Sequence, residues 1–209
     1  MPFPSLSPAR YPVRRLVGSS PDWQAAICLR DFTFPWENTL APETEFRALS
    51  DDEKLYFRFD CVDEDLVLGS GETLKERVLG SDRVELFFAP DLNLTPYYAF
   101  EMSPRAEALV YAGQFYRQFD WEWTCPELTL EAEINGSSYH VQGSLPLATL
   151  RRLGILKPDS LVFYVGVYRA EFSHQADGSI HSGWMPWVNP QTERPDFHVP
   201  ASFGIFELV

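Results

Sequence analysis

Alternation of apolar and polar residues with a period of two runs through most of the chain and constrains its fold more than any other feature. The clearest case is ELTLEAEI at 127–134, which is followed, after Asn135-Gly136, by a second alternating run, SYHVQGSL, at 138–145. An Asn-Gly pair between two such runs is a strong β-hairpin signal, because both residues accept the positive φ angles of a tight turn. The pattern therefore predicts strands with one buried and one polar face.

The same alternation recurs along the chain and predicts a mostly-β protein. Strands are expected at 54–61, 82–88 and 97–102, and further ones near 25–32, 44–49, 107–112, 161–171 and 203–208. Helical signal is confined to PLATLRRLG at 146–154 and ETLKERVL at 72–79. About ten strands with one apolar face predict an all-β, two-sheet antiparallel sandwich, jelly-roll or immunoglobulin-like, with one or two short helices. The expected core-facing residues include Leu55, Phe57, Phe59, Val84, Leu86 and Phe88.

The N-terminal segment is rich in proline, at positions 2, 4, 8 and 12. Because proline lacks a backbone N–H, residues 1–20 are predicted to be an extended arm rather than a regular element. Residues 21–209 contain no internal repeat and no linker, so they are predicted to form a single domain. Their length suits one β-sandwich.

The net charge of −13 and the pI of about 4.7 narrow the range of partners. A surface this acidic repels phosphate groups. We therefore expect neither nucleic acid nor an anionic membrane as a partner. The first 16 residues lack the apolar core of a secretory signal, and no run approaches the roughly 18 apolar residues of a membrane span. We expect a monomer in the cytoplasm, or an extracellular or periplasmic protein if a leader precedes this sequence.

Two glutamates are the first candidates for a site. Glu85 and Glu101 fall on the non-core faces of consecutive strands, so their side chains are expected to lie side by side. They could hydrogen-bond a ligand, act as a glycosidase acid/base pair, or pair with nearby arginines. Arg169 continues the apolar face of its strand, which leaves two roles open, an ion pair with Glu171 or a ligand donor.

The segment 183–204, GWMPWVNPQTERPDFHVPASFG, holds further candidates. Sugars present C–H faces to aromatic rings and hydroxyl groups to planar polar side chains, and prolines hold such a loop rigid. The segment offers both kinds of group: Trp184, Trp187, Asn189, Arg194, Phe197 and His198. The competing interpretation is that its rings cap the end of the sandwich. Trp36 is a second platform or an edge plug, and Trp121 and Trp123 are expected to share one face and pack into the core.

The order of several short motifs resembles the family 9 carbohydrate-binding modules and their stand-alone relatives. These motifs are LYFRFDCVDEDL, SDRVELFF, YYAFEM, YVGVYRAEF and a Trp/Pro-rich loop closing on PASFGIFEL, which together cover most of the chain after about residue 22. The resemblance implies a β-sandwich that grips a glycan end between two tryptophans. It places a ligand-contacting glutamate at Glu85 and one clamp ring at Phe197. The chain departs from the family at Leu79, where the other clamp tryptophan belongs, and at Glu101, where the family has a ligand-binding arginine.

The resemblance also implies structural calcium in some members. Asp63 and Asp65, with Glu64 between them, are the candidate ligands here, although they lack EF-hand-like spacing. No other cofactor is expected, since the four histidines lack metal-ligand spacing with one another.

The leading hypothesis is non-catalytic binding of a mono- or oligosaccharide or a glycan end, through aromatic stacking and Glu, Arg and Asn hydrogen bonds. Three further hypotheses stay open. They are a protein-interaction sandwich with a degenerate sugar site, a glycoside hydrolase using Glu85 and Glu101, and a haem-binding sandwich with Met102 and a histidine as axial ligands.

Overall fold

The computed structural model describes residues 8–209 as a β-sandwich. Within this range there are twelve strands, two short α-helices and one 3₁₀ turn at Pro200–Ser202. In chain order the strands and helices are β1 Arg10–Arg15, β2 Thr44–Ser50, β3 Lys54–Val62, α1 Leu74–Leu79, β4 Arg83–Ala89, β5 Tyr97–Met102, β6 Ala108–Gln114, β7 Gln118–Asp120, β8 Thr129–Ile134, β9 Ser138–Pro146, α2 Leu147–Arg152, β10 Val162–His174, β11 Ile180–Pro186 and β12 Gly204–Leu208.

The strands form two sheets. Sheet A has the order β7-β6-β5-β4-β10-β12-β1, and β11 pairs with the second half of β10. Sheet B has the order β1-β2-β3-β9-β8. The sandwich is mixed rather than purely antiparallel, because β1 runs parallel to both of its neighbours, β12 and β2.

The main core lies between the two sheets, as the alternation predicts. The residues expected to face inward are all buried: Leu55, Phe57, Phe59, Val84, Leu86 and Phe88. Aromatic rings pack against each other across this core, with Phe46 of sheet B and Phe206 of sheet A 5.6 Å apart between ring centroids. The predicted fold class, with its two short helices at Leu74–Leu79 and Leu147–Arg152, is confirmed.

The prediction of an extended arm is wrong for residues 10–15, which form β1; residues 1–7 lie outside the described residues. Tyr11 and Val13 are buried in the core, and the residues that alternate with them are partly buried or exposed. The Tyr11 hydroxyl donates to the Ile27 carbonyl and accepts from the Ala48 N–H at 2.8 Å. Pro12 is tolerated because it lies in the part of β1 that pairs on one side only, with Glu207 of β12.

Other strand predictions also differ from the structure. The segment 25–32 is not a strand and makes a single β-bridge, between Leu29 and Phe46. Strands β7 and β11 were not expected. Within the described part of the chain, no helix has the length and apolar character needed to cross a bilayer.

A second apolar cluster covers the outer face of sheet A, where a polar surface was expected. Every residue of β4 and β5 is buried, because the segment after β11 and helix α1 lie over this face. The cluster includes Val78, Phe87, Tyr97, Tyr111, Tyr168, Phe197 and Phe203. Groups on the outer face of these strands are therefore enclosed rather than solvated.

Candidate ligand-binding site

A cavity of about 290 Å³ opens on the outer face of sheet A. Glu85 on β4 lies opposite Glu101 on β5, and β10 places Tyr168 opposite Glu85 on the other side. This register brings the two carboxyl groups together on the cavity floor, as the alternation predicts. The walls come from the β6–β7 hairpin and from the segment after β11.

One arginine connects the floor carboxylates. The Nε of Arg83 donates to Glu101 Oε2 at 2.6 Å and lies 3.0 Å from Glu85 Oε1. The other oxygen of Glu101 accepts a hydrogen bond from the Tyr111 hydroxyl at 2.8 Å. All three ionisable side chains are at most 5% exposed, so two buried carboxyl groups share one guanidinium group.

Glu85 is left with unused hydrogen-bonding capacity. Because Arg83 Nε is directed at Glu101, Glu85 Oε1 is buried without a hydrogen bond of good geometry to any group in residues 8–209. Burial, followed by the nearby Glu101 charge, raises the pKa of Glu85 from 4.5 to about 8. A buried polar atom without a hydrogen bond is costly, and here it belongs to a residue that lines a cavity that a polar ligand could enter.

Aromatic rings on and after the β6–β7 hairpin form one wall. Trp121 packs against Phe119 at 5.1 Å and against Tyr111 at 4.6 Å between ring centroids. The side chain of Lys75, on α1, places its Nζ 3.3 Å from the centre of the Trp121 ring, which helps to fix the orientation of that ring. Trp121 is 38% exposed, so part of it remains accessible to a ligand.

Two rings from the end of β11 and the following segment form the other wall. Phe197 and Trp184 lie edge to face, with centroids 5.8 Å apart. The guanidinium carbon of Arg83 is 5.4 Å from the Trp184 ring centre, which connects this wall to the floor.

His198 completes the lining as a neutral side chain. Its Nδ1 shares a hydrogen bond of 2.7 Å with the Tyr97 hydroxyl. Burial, together with the Arg117 charge, lowers the pKa of His198 from 6.5 to about 3. The imidazole therefore serves at neutral pH as an uncharged hydrogen-bonding group.

Comparison with known proteins identifies the family of this chain. A model described as carbohydrate family 9 binding domain-like matches residues 21–209. The chain belongs to this family. No curated protein matches it at a significant level.

Several solved structures have a fold similar to that of this chain. A structure described as a candidate carbohydrate-binding protein from Bacteroides uniformis superposes with a TM-score of 0.72 at 18% identity, over 97% of this chain and 100% of that one. Two structures of a family 9 carbohydrate-binding module from Caldicellulosiruptor kristjanssonii, in complex with glucose and with cellotriose, each superpose with a TM-score of 0.60. Their identities are 14% and 12%, over 96% of this chain and 96% and 93% of theirs.

The structure brings five of the nine candidate ligand-binding residues together in the cavity: Glu85, Glu101, Trp184, Phe197 and His198. Leu79, where the resemblance implies a clamp tryptophan, also lines the cavity. The aromatic wall on the β6–β7 side is supplied instead by Phe119 and Trp121. The prediction that Trp121 and Trp123 share a core-packing face is wrong, because only Trp123 packs against the main core, 4.9 Å from Tyr98.

Three of the remaining candidates lie outside the cavity. Trp187 packs into the main core over Gly204, where a Cβ atom would meet the indole ring at 2.5 Å. Trp36 is an edge plug, since its Nε1 donates to the Thr192 carbonyl at 2.8 Å and its ring packs beside Phe197. Asn189 is exposed and its Oδ1 accepts from the Gln191 N–H, which stabilises a turn.

Arg169 lies on the opposite face of sheet A from Glu85, so the structure separates it from the cavity. Its side chain is fully buried, pairs with Glu171 and lies 3.4 Å from Asp63. It also donates to the Thr44 hydroxyl and the Val62 carbonyl, both at 2.9 Å. Of the two roles left open by the sequence, the structure has the ion pair.

The carboxylates considered for calcium do not form a suitable site. Asp65 accepts from the His174 backbone and ring, whereas Asp63 points towards Arg169. The carboxylates that do converge are those of Asp63, Asp82 and Glu171, with oxygens within 4.8 Å of one another. The Arg169 guanidinium group lies against this cluster, and both oxygens of Asp82 accept backbone N–H groups. These residues therefore suit the arginine already present and do not fit a Ca²⁺ ion, which needs six to eight free oxygen ligands.

Sequence reasoning missed part of the lining: Arg83, Tyr111, Arg117, Phe119, Trp121, Pro195 and Asp196. The only signal in the sequence was the density of aromatic residues in 111–123. The structure also explains the glycine at position 113, because a Cβ atom there would meet the Tyr97 ring at 2.3 Å.

Proposed function

We propose that this protein binds carbohydrate without catalysis, and that the cavity on sheet A holds a terminal sugar ring. The observation that carries the proposal is the buried carboxyl group of Glu85, which lines a cavity with aromatic walls and whose Oε1 has an ionic contact with Arg83 but makes no hydrogen bond to the described residues. A ligand hydroxyl could satisfy this atom, while C–H groups of the ring pack on Trp121 and Trp184. Membership of the carbohydrate family 9 binding domain-like family, and the sugar complexes of similarly folded modules, support the same ligand class.

The size and charge of the cavity suit a single neutral ring. Its volume of about 290 Å³ is at the lower end of the roughly 300–1,000 Å³ usual for small-molecule sites. The acidic and basic groups in it are paired, Arg83 with the two floor glutamates and Arg117 with Asp196. Paired groups that both donate and accept match hydroxyl groups better than they match a net ionic ligand.

The arrangement of Glu85 and Glu101 favours binding over hydrolysis. A glycosidase places its two carboxyl groups on either side of the scissile bond. Here both carboxyl groups lie on one floor within 3.0 Å of the same Arg83 nitrogen, and both oxygens of Glu101 are hydrogen-bonded. Neither group is placed to act on a ligand from the opposite side.

Haem binding and protein interaction have less support than sugar binding. Met102 is buried in the main core, on the face of sheet A opposite to His198, so the two cannot ligate one iron.

For a protein-interaction surface, the discriminating feature is whether the rings of 184–197 form an open wall or a plug. Trp184 and Phe197 line an open cavity, whereas Trp187 alone of the three is a core plug.

Isothermal titration calorimetry of the folded chain with glucose, xylose and their oligosaccharides tests the proposal. We expect saturable binding in the micromolar to millimolar range, with a change in tryptophan fluorescence. Glu85→Ala is expected to remove binding, whereas Glu133→Ala, an exposed glutamate on the edge strand of sheet B, is the matched control. A folded protein that binds no sugar in a broad glycan panel would refute it.

A further inference from the structure

A groove crosses the outer face of sheet B, on the other sheet of the sandwich from the cavity. It consists of two adjoining hollows, of about 250 Å³ and about 490 Å³. Pro21 and Trp23, from the segment between β1 and β2, line both hollows, so the hollows meet at Trp23. Tyr56 lines the first hollow, and Arg47 and Arg58 line the second. These residues, the sheet B groove, are separate from those that line the cavity on sheet A.

A row of hydrogen-bonded planar side chains forms the floor of the sheet B groove. Arg58 of β3 lies opposite Gln142 of β9, which in turn lies opposite Glu131 of β8. Arg58 Nη1 donates to Gln142 Oε1 at 2.9 Å, and Gln142 Nε2 donates to Glu131 Oε2 at 3.0 Å. The Nε of Arg58 also donates to Asp60 Oδ1 at 2.9 Å. Because these bonds already fix the side chains, less conformational entropy is lost when a ligand binds.

Trp23 supplies an aromatic surface beside this floor. Its ring is half-buried and packs, together with Tyr56, against a small apolar cluster. The turn that carries Trp23 is stabilised by the Gln24 N–H, which donates to Asp22 Oδ1 at 3.1 Å. The Tyr56 hydroxyl donates to Asp51 Oδ2 at 2.9 Å. A ring that is held in place and still partly open to solvent suits packing against the C–H face of a sugar ring.

The charges on this face are balanced within it. Arg47 pairs with Glu45 at 2.6 Å and with Asp60 at 3.2 Å, and Arg58 pairs with Asp60 at 2.6 Å. The chain as a whole carries a net charge of −13, which repels anionic polymers. Hydroxyl groups both donate and accept, so they can bond to carboxylate, amide and guanidinium groups alike. The groove therefore matches a neutral ligand that is rich in hydroxyl groups.

The sheet B groove is elongated. Arg58 also lines a third hollow, of about 350 Å³, which extends the groove along β3 towards Val62. A ligand can therefore continue on both sides of Trp23. Such a groove does not need the end of a chain, in contrast to the cavity on sheet A, whose size suits a single ring.

We propose that the sheet B groove is a second carbohydrate site, which binds an internal segment of a neutral polysaccharide. Trp23 packs against one sugar ring, and the row from Arg58 to Glu131 bonds to hydroxyl groups of the rings beside it. The inference goes beyond the proposed function, because it assigns different residues and a different part of the glycan. With one site on each sheet, a single protein can hold two glycan chains.

Native gel electrophoresis through soluble polysaccharides tests the inference on the intact chain. Hydroxyethyl cellulose, mixed-linkage β-glucan, xylan and galactomannan are each added to the gel, and the retardation gives an apparent affinity. These long polymers have few ends, so internal segments dominate the binding. We expect at least one polymer to retard wild type and Glu85→Ala equally, since Glu85 lies in the cavity. Glu131→Ala and Trp23→Ala should each weaken that affinity at least about fivefold, or ~1 kcal/mol, while calorimetry shows unchanged monosaccharide affinity.

Glu133→Ala is the matched control for Glu131→Ala. Both glutamates are exposed and lie two residues apart on the same face of β8, but only Glu131 lines the groove. Circular dichroism checks that the variants are folded. Because Trp23 packs on an apolar cluster whereas Glu131 is exposed, Glu131→Ala decides the result if Trp23→Ala does not fold.

The outcomes separate this inference from the proposed function. Retardation that Glu85→Ala abolishes, or that Glu131→Ala leaves unchanged, would overturn the inference and leave sugar binding at the cavity in place. If no polymer retards wild type, the inference is overturned too, and titration with short sugars still decides the proposed function. A dimer in sedimentation experiments that Trp23→Ala dissociates would also overturn the inference, because the groove would then be an interface between two copies.

Discussion

The rings of Tyr168 and Phe197 lie parallel, with centroids 4.1 Å apart and 6° between their planes. Tyr168 belongs to β10 and Phe197 to the segment that covers sheet A, so this stack holds a cavity wall on the sheet. One face of Phe197 is occupied by Tyr168, and the ring, which also packs beside Trp184 and Trp36, lines the cavity with its remaining surface.

Replacing Phe197 with leucine is expected to weaken sugar binding by about five- to tenfold, since a stacking ring is worth roughly 1 kcal/mol. Tyr168→Phe is the matched control, because it keeps the stack and removes only the hydroxyl bonded to Ser202 Oγ at 2.7 Å. It should lower the free energy of unfolding by about 1 kcal/mol and leave affinity unchanged. Calorimetry and urea denaturation of both variants measure the two effects. Equal loss of affinity in both variants would contradict this assignment.

Trp121 and Trp123 are two residues apart and are expected to respond differently to replacement by alanine. Trp121→Ala removes a partly exposed wall of the cavity, so affinity should fall about tenfold with little change in melting temperature. Trp123→Ala removes a ring packed against Tyr98 and Phe100, and should cost about 2–3 kcal/mol of unfolding free energy. Thermal unfolding and titration of the same preparations compare them. The assignment fails if Trp123→Ala is the variant that loses binding at a temperature where it is folded.

The raised pKa of Glu85 predicts a pH-dependent stability. Because its pKa of about 8 in the folded protein exceeds its usual value of 4.5, the stabilising contribution is complete below pH 4.5 and is lost as the pH rises through 8. Glu85→Gln is uncharged at every pH, so its unfolding free energy should decline less between pH 5 and pH 9 than that of wild type. Asp82 and Glu171, whose pKa values burial raises to about 7 and about 8, contribute in the same direction in both proteins. Denaturation curves at pH 5, 7 and 9 give the comparison, and parallel declines would refute the role of Glu85.

Arg169 is expected to be a requirement for stability and not for binding. Arg169→Met leaves the buried Asp63 and the half-buried Glu171 unpaired, which should cost about 3–5 kcal/mol. Arg105→Met, at an exposed arginine bonded to the Gly69 carbonyl, should stay within about 0.5 kcal/mol of wild type. Sugar affinity of the folded Arg169→Met protein should be unchanged, and adding calcium or EDTA to wild type should not shift its melting temperature. A rise of several degrees with calcium would show that the carboxylate cluster accepts the ion.

The strands that the sequence predicts well are those with one apolar face, such as β3, where burial alternates along 54–61. Strands without this pattern were missed. In β1 a proline interrupts the signal, and β11, IHSGWMP, is held by pairing with a long neighbour rather than by its own alternation. The segment 25–32 has strand-like residues but lies where it makes only one bridge. Whether these segments form strands is decided by pairing partners that are distant in sequence.

The candidate site was partly predictable for the same reason. The side-by-side placement of Glu85 and Glu101 follows from alternation on neighbouring strands. The position of each tryptophan depends instead on packing elsewhere in the fold. Trp187 packs over Gly204 in the main core, whereas Trp121 packs beside Tyr111 at the cavity. Arg169 faces the core and pairs with Glu171, as the local pattern indicates, but its second partner, Asp63, is distant in sequence and no local pattern indicates it.

Strand β1 is hydrogen-bonded into both sheets, through residues 10–13 to β12 and through residues 14 and 15 to β2. A force or a protease cut that frees this segment would therefore remove a strand from each sheet at once. The two sheets of the sandwich are thus expected to lose structure in one cooperative step. Amide hydrogen exchange should then give the same free energy of opening for the centres of β3 and β10. The six residues of β1 do not line the binding cavity, yet their detachment would in this way set the lifetime of the whole fold.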